Sequence, residues 1–272
     1  MRLPRPDGIA GHLVTGSVTS ITYAPVKGLA LTHVDAVDLE PTGLRENRRF
    51  HLITGDDGRL VNGKVVGELV QVVASADRDG TMLALRFPDG PTLDGPVELG
   101  APVETDFWGT PVAGRIVGGA FAEALSSFAG RPLRLVRVNE PGAGSDRGVE
   151  GSVSVLSRGS LDRLAREAGE EHVDARRFRM LFGIDGVEPH AEDRWVGRRV
   201  AIGDAVIRLR GLVGRCAVTT QDPDTGTPDL KTLRLIRGYR SHVESDEPLP
   251  FGAWGSVEQP GRVRVGDSVA PL

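Results

Sequence analysis

The single cysteine of the chain is the side chain with the clearest capacity for chemistry. Cys216 lies in the segment from Arg215 to Gly226, RCAVTTQDPDTG. A lone cysteine cannot form an internal disulfide, whereas a thiolate beside a cation can act as a nucleophile or a metal ligand. The Asp-Pro-Asp-Thr-Gly run that follows is typical of a turn. We therefore expect the thiol to lie near the end of a strand, with Asp222 either building the turn or acting as a catalytic proton donor.

Motifs for other cofactors are missing from the sequence. The six histidines and the one cysteine show no zinc-ligand spacing, and an iron–sulfur cluster usually needs four cysteines. The sequence also lacks a P-loop, a dinucleotide-binding glycine fingerprint and a nucleophile elbow. We therefore expect this chain to bind no Fe–S cluster, haem, flavin or NAD of its own.

The composition indicates a water-soluble globular protein. Hydrophobic residues make up 39%, charged residues 26%, and the formal net charge is −4. The charge argues against nucleic acid as a partner, and no apolar run is long enough to span a bilayer. The first residues lack the apolar region of a secretory signal, so we expect a cytoplasmic location and no membrane partner. Thirty of the 33 basic residues are arginines, which bind phosphate well, and this makes Lys27 stand out.

Most of the hydrophobic pattern predicts short strands separated by turn residues, which is typical of barrels and sandwiches. The predicted strands are 14–23, 33–39, 50–53, 69–75, 82–87, 133–138, 152–156, 199–202, 205–209, 262–265 and 268–270. Helical spacing is confined to 120–128, 160–170 and 232–239. The glycine-rich stretch 141–148 is either a domain boundary or a mobile lid over a site, and the residues up to about Gly11 are expected to be poorly ordered. The fold class is therefore mainly β with a few connecting helices.

Several short motifs, in their order along the chain, resemble the MOSC superfamily, named after the C-terminal domain of molybdenum-cofactor sulfurase. The closest likeness is to the two-domain members that include the mitochondrial amidoxime reducing component and its bacterial relatives. The motifs that carry the resemblance are YAPVKG at 23–28, GLR at 43–45, RRF at 48–50, VLS at 155–157, RFR at 177–179, AEDRW at 191–195, IGD at 202–204, the cysteine segment, FGAW at 251–254 and VGD at 265–267.

The resemblance implies an N-terminal β-barrel domain over residues 12–135 and a MOSC β-barrel domain over 136–272. It also implies a molybdenum–molybdopterin cofactor between them, with Cys216 as the metal ligand and a catalytic residue. The residues implied to bind the cofactor are Lys27, Gly28, Arg49, Gly151, Ser152, Arg179, Gly214, Arg215 and Trp254. For Arg215 an ion pair with Asp222 is an equally good interpretation.

The activity implied is a molybdenum-dependent oxidoreductase that removes oxygen from an N-hydroxylated small molecule. Electrons must come from an external protein, either ferredoxin-like or cytochrome-like with a reductase. The sequence departs from the family pattern at Gly28, where a serine is usual, and at Met180-Leu181, where proline and asparagine are usual. Because both changes remove polar contacts, sulfur transfer through a Cys216 persulfide is retained as an alternative, as is a cofactor carrier without turnover.

Overall fold

The computed structural model describes residues 15–90 and 92–272. It confirms the predicted fold class, with three α-helices and otherwise mainly strands and short 3-10 helices in the described part. The expectation for the first residues lies outside this range. The strands are β1 (Gly16–Tyr23), β2 (Thr32–Val34), β3 (Ala36–Leu39), β4 (Phe50–Thr54), β5 (Leu60–Val61), β6 (Val73–Ala76), β7 (Met82–Arg86), β8 (Thr92–Pro96), β9 (Leu99–Phe107), β10 (Thr110–Val117), β11 (Leu133–Val138), β12 (Val153–Ser157), β13 (Phe182–Asp185), β14 (Arg199–Ile202), β15 (Ala205–Gly214), β16 (Pro250–Gln259), β17 (Gly261–Arg264) and β18 (Ser268–Pro271).

Seven strands close into a barrel. The pairing order is β13-β12-β16-β15-β14-β18-β1, and β1 then pairs with β13 to complete the ring. The β12–β13 pair is parallel, whereas β1 is antiparallel to β13 and to β18. The barrel interior is a core of aliphatic and aromatic side chains that includes Phe182 and Ile207. The N-terminal strand therefore completes the barrel of the C-terminal half, and the division at residue 135 stays a prediction.

A second core lies between two smaller sheets of the N-terminal half. One sheet has the order β5-β4-β11-β10-β9 and the other β6-β7-β8. Their common core contains Phe50 from β4, Leu85 from β7 and Leu135 from β11, together with Leu125 from a helix. A further two-stranded sheet pairs β17 with β3.

The three helices are α1 (Ala120–Phe128), α2 (Arg158–Ala168) and α3 (Thr232–Arg240). Helix α2 begins where the Ser157 side chain accepts a hydrogen bond from the Ser160 amide and ends at Gly169 in a left-handed conformation. Helix α3 buries Ile236 and Arg240 on one face, and Arg240 Nη2 lies 2.7 Å from Asp193 Oδ2. None of the helices in the described part is long and apolar enough to cross a membrane.

Candidate active site

A cavity of about 480 Å³ brings together residues from both halves of the chain. It is lined by eight of the sequence-predicted site residues, namely Lys27, Gly28, Gly151, Arg179, Gly214, Arg215, Cys216 and Trp254. Its size falls in the range of pockets that hold cofactors and small ligands. Residues far apart in the sequence thus form one site.

Cys216 lies two residues after the end of the long strand β15 and has an exposed side chain. It precedes a 3-10 turn, Ala217–Thr220, in which the Thr219 amide and hydroxyl both donate to the Cys216 carbonyl, at 3.1 and 3.0 Å. The backbone carbonyl is therefore engaged, whereas the thiol faces an open space. This matches the expected position at a strand end.

Arg215 is buried beside the thiol without an acidic partner in contact. Its Nε donates to the Phe251 carbonyl at 2.8 Å, its Nη1 donates to the Phe178 carbonyl at 3.0 Å, and its Nη2 lies 3.0 Å from Met180 Sδ. Burial lowers the pKa of Arg215 to about 9, and the positive charge of Arg147 acts in the same direction. The ion pair with Asp222 considered from the sequence is absent, since these groups take its place.

Two further arginines face the same space. Arg179 donates from Nη2 to the Leu29 carbonyl at 2.6 Å, and Arg48 donates from Nη2 to the Arg179 carbonyl at 3.3 Å. Burial, together with the charge of Arg48, lowers the pKa of Arg179 to about 10. Within the described residues, Arg48, Arg179 and Arg215 form no ion pair, because the nearby carboxylates pair with other cations. An anion entering the cavity would therefore meet guanidinium charge that the fold does not neutralise.

Lys27 is paired rather than free. Its Nζ lies 2.6 Å from Asp146 Oδ1 and 3.2 Å from the Gly144 carbonyl, and only 8% of the residue is exposed. Burial lowers the pKa of Lys27. For Asp146 burial alone would raise the pKa, but the charge and hydrogen bond of Lys27, helped by Arg48, hold it well below its usual range. The ion pair and the hydrogen bond to Gly144 fix the glycine-rich loop against the N-terminal half.

Gly151 and Gly214 leave room for the Arg147–Glu247 ion pair. A Cβ on Gly151 would lie 2.5 Å from Arg147 Cβ, and a Cβ on Gly214 would lie 2.6 Å from Glu247 Cβ. Arg147 donates from Nε to Glu247 Oε1 at 2.7 Å, and the Gly214 amide donates to Glu247 Oε2 at 2.9 Å. The guanidinium of Arg147 also lies 5.1 Å from the Trp254 ring. The role of these two glycines is thus to let the Arg147–Glu247 pair form one wall.

Three sequence-predicted residues do not line the cavity. Arg49 points to the end of β11, where its Nη1 donates to the Val138 and Asn139 carbonyls at 2.9 and 3.3 Å. Ser152 is buried against Gly43, whose Cβ would lie 2.5 Å from Ser152 Cβ. Asp222 Oδ1 accepts hydrogen bonds from the Asp224 and Thr225 amides at 3.0 and 2.8 Å and from the Thr225 hydroxyl at 3.0 Å. Asp222 therefore builds the turn.

The sequence reasoning missed several residues of the wall. They are Arg48, Lys64, Trp108, Asp146, Arg147 and Arg177. The neighbouring Arg48 occupies the position expected for Arg49, because its backbone has a φ of +52° that turns its side chain inward. The Ser-Asp-Arg end of the glycine-rich stretch was a usable signal for Asp146 and Arg147. That stretch is a wall of the cavity.

The two departures from the family pattern have different consequences. Gly28 lines the cavity with a φ of +92°, a conformation that favours glycine, and open space surrounds the point where a Cβ would be. Leu181 is 2% exposed and belongs to the barrel core. Only the change at position 28 therefore removes a polar side chain from the cavity wall.

The charges of the cavity are strongly unbalanced. Two carboxylates, Asp146 and Glu247, line it together with seven cations, which are Lys27, Arg48, Lys64, Arg147, Arg177, Arg179 and Arg215. Over the ranges that the structure describes, no group of three or more His, Cys, Asp or Glu side chains could hold a metal ion. A metal here would need ligands from a bound group in addition to Cys216. The arrangement suits an anionic ligand held beside an accessible thiol.

Comparison with known proteins agrees with this architecture. The model of the MOSC N-terminal β-barrel domain matches residues 15–132, and the model of the MOSC domain matches residues 141–270. Mitochondrial amidoxime-reducing component 1 is 28% identical in both mouse and human, in each case over 93% of this chain and 82% of the relative. Mitochondrial amidoxime reducing component 2 from Bos taurus is 29% identical over the same shares. The chain therefore belongs to the MOSC family, as a member with both the MOSC N-terminal β-barrel domain and the MOSC domain.

Proposed function

We propose that this protein is a molybdenum-cofactor oxidoreductase that reduces N-hydroxylated small molecules. One observation carries the proposal: the exposed thiol of Cys216 opens into the same cavity as Arg48, Arg179 and Arg215, which form no ion pair with a carboxylate within residues 15–90 and 92–272. The curated relatives are named amidoxime-reducing components, and this supports the reaction class at the family level.

The residues of the cavity fit a molybdopterin cofactor. Its phosphate is doubly charged, and Arg48 and Arg179 offer guanidinium groups that the fold does not neutralise. Burying charged groups without opposite charge is unfavourable, so a bound anion would reduce the free-energy cost of burying these arginines. The thiolate of Cys216 is a soft ligand, which suits a metal also bound by the sulfurs of a dithiolene.

The chemistry supplied by the cofactor, when bound, is two-electron redox change and oxygen-atom transfer. In the overall reaction the N–OH group takes up two electrons and two protons and becomes N–H, and one water is released. Since Asp222 is engaged in its turn, the protons reach the substrate from solvent at the open side of the cavity, where Cys216 is exposed. The electrons come from an external ferredoxin-like or cytochrome-like protein with its reductase.

The alternative is sulfur transfer through a persulfide on Cys216. The accessibility of this thiol is the observation that favours it, because an acceptor could reach a sulfur held there. The burial of Leu181 in the barrel core removes one of the two reasons for preferring this alternative, since that side chain does not face the cavity.

The test is to produce the chain in a molybdenum-replete host and to measure molybdenum, pterin and the intact mass of the protein. Reduction of benzamidoxime with reduced methyl viologen then gives the activity. We expect near-stoichiometric molybdenum and turnover, both lost in Cys216→Ala. Thr220→Ala is the matched control, because its hydroxyl only bonds the Ala217 carbonyl in the same turn. A protein without molybdenum that carries one extra sulfur atom on Cys216 would establish the alternative instead.

A further inference from the structure

One exposed aromatic side chain at the cavity is not used by the proposed chemistry. Trp108 lines the cavity, and 58% of the residue is exposed, whereas Lys27 in the same cavity is 8% exposed. The indole therefore lies at the open side and Lys27 at the buried side. Aromatic side chains that line a cavity commonly contact its ligand.

The backbone at Trp108 is unusual for such a residue. Strands β9 and β10 are joined by the two residues Trp108 and Gly109, which have φ values of +57° and +92°. A two-residue hairpin with both φ values positive is a type I′ turn, which strongly prefers Asn, Asp or Gly at its first position. A bulky residue there is strained, and strain of this kind clusters at functional sites. The turn itself therefore gives no reason for a tryptophan.

Neighbouring groups hold the indole in one orientation. Its Nε1 donates to Asp146 Oδ1 at 3.2 Å, and Lys64 Nζ lies 4.9 Å from the ring centroid. The preceding residue, Phe107, is 1% exposed and packs edge-to-face on His51 with centroids 5.0 Å apart. The buried Phe107 and the hydrogen bond to Asp146 thus fix the plane of the Trp108 ring before any ligand binds. This lowers the entropy cost of stacking.

The same opening is shared with the thiol. The loop that carries Lys64 packs on the turn after Cys216, because Gln221 Nε2 donates to the Gly63 carbonyl at 2.7 Å. Gly63 and Val218 both line the cavity. Trp108, Lys64 and the Cys216 thiol therefore line one cavity, in which the loop of Lys64 is packed on the turn after the thiol.

We propose that Trp108 stacks on the substrate and selects neutral, planar aryl N-hydroxy compounds over alkyl ones. The proposal rests on the proposed function, since it names the substrate class of that site. An indole face favours an offset-stacked aromatic ring. The ammonium group of Lys64, which lies over the indole ring, disfavours cationic substrates. Trp108 is thus a specificity-determining residue that touches the part of the substrate away from the N–OH group.

The test compares Trp108→Asn, which suits the turn better, with Trp108→Phe, which keeps a ring. Val65→Asn is the control, because Val65 is also exposed, at 51%, and follows Lys64, yet does not line the cavity. Binding of benzamidoxime and of acetamidoxime to the oxidised, molybdenum-loaded protein is measured by calorimetry without an electron donor. The kcat/KM for each compound, the molybdenum content and the Tm are measured in parallel.

In Trp108→Asn we expect the preference for benzamidoxime over acetamidoxime to fall about 3- to 10-fold, the range expected for one aromatic stacking contact. Trp108→Phe should keep most of the preference, and Tm should be equal or higher in Trp108→Asn because the strain is relieved. An unchanged preference in a Trp108→Asn protein with normal molybdenum would overturn the role of Trp108 alone. A wild-type protein that holds molybdenum but binds neither compound would overturn both this role and the proposed reaction.

Discussion

Replacing Arg179 by glutamine is expected to act in opposite directions on cofactor retention and on the stability of the cofactor-free protein. The Arg179 guanidinium is partly buried, bonds the Leu29 carbonyl at 2.6 Å, and contacts no carboxylate in the described part of the chain. A glutamine keeps a hydrogen-bond donor and much of the length but removes the charge. The substitution therefore isolates the electrostatic role of this residue.

The magnitude follows from the lowered pKa. Burial lowers the pKa of Arg179 from its ordinary value of 12.5 to about 10. The charged form is therefore disfavoured in the folded state, and this cost is fully present at neutral pH, below both pKa values. Allowing for partial exposure, it amounts to about 1–2 kcal/mol, so its removal should raise the Tm of the cofactor-free protein by about 2–6 °C. The lost charge-assisted bond to phosphate should weaken cofactor retention about 10- to 100-fold.

The assay has two parts. Thermal unfolding is followed on protein from a host that cannot make molybdopterin, and molybdenum and pterin per chain are followed over time on loaded protein. Arg176→Gln is the matched control, because Arg176 lies nearby in the chain but pairs with Asp174 and Asp224. If Arg179→Gln retained the cofactor as well as Arg176→Gln does, the assignment of Arg179 to the phosphate would be wrong. A fall in the Tm of the cofactor-free form would show that the charge is not a cost of the fold.

Two further substitutions test the walls of the site. Asp146→Asn leaves the buried Lys27 without its anion, and solvent screens this pair because 48% of the Asp146 side chain is exposed. The free energy of unfolding at pH 7 should therefore fall by about 1–2 kcal/mol, which chemical denaturation measures. Folding lowers the pKa of Asp146, so below about pH 4 the unfolded chain binds a proton on this carboxyl group that the folded protein does not bind. The difference in stability from wild type should therefore shrink as the pH falls below about 4. A constant difference down to about pH 2 would contradict this prediction. Asp222→Asn removes acceptor capacity from the turn, so unfolding should become easier by about 1 kcal/mol, while the kcat for benzamidoxime stays within about 3-fold of wild type. A loss of kcat without a loss of stability would restore Asp222 as the proton donor.

The strands that the sequence predicted were those with a strong local signal. The runs 133–138 and 199–202 coincide with β11 and β14, and 120–128 coincides with α1. The predicted strand 69–75 is divided, because Gly67–Gln71 forms a 3-10 helix before β6. The strands β5, β8, β9, β10, β13 and β16 were not predicted. Strand β9, for example, is mostly exposed and contains a glycine, a proline and two acidic residues, so it carries little apolar alternation.

The site was predictable where a motif marks it and not where the backbone decides it. Cys216 and Arg179 were named from distinctive motifs, and both line the cavity. Arg49 was chosen over Arg48, but Arg48, whose backbone is left-handed, is the one that lines the cavity. Trp108 reaches the site through a hairpin turn, and its partner Asp146 is distant in sequence. Contacts of this kind depend on tertiary packing, which a single sequence does not display.

The central claim is that the sulfur of Cys216 bonds molybdenum within a cavity that binds the cofactor phosphate. X-ray absorption at the molybdenum edge measures this most directly, on wild-type protein and on Cys216→Ala reconstituted with cofactor. We predict that wild-type molybdenum has one more sulfur neighbour than the dithiolene supplies, and that this neighbour is lost in Cys216→Ala. A wild-type spectrum with dithiolene sulfur alone, or an unchanged spectrum in Cys216→Ala, would contradict the claim.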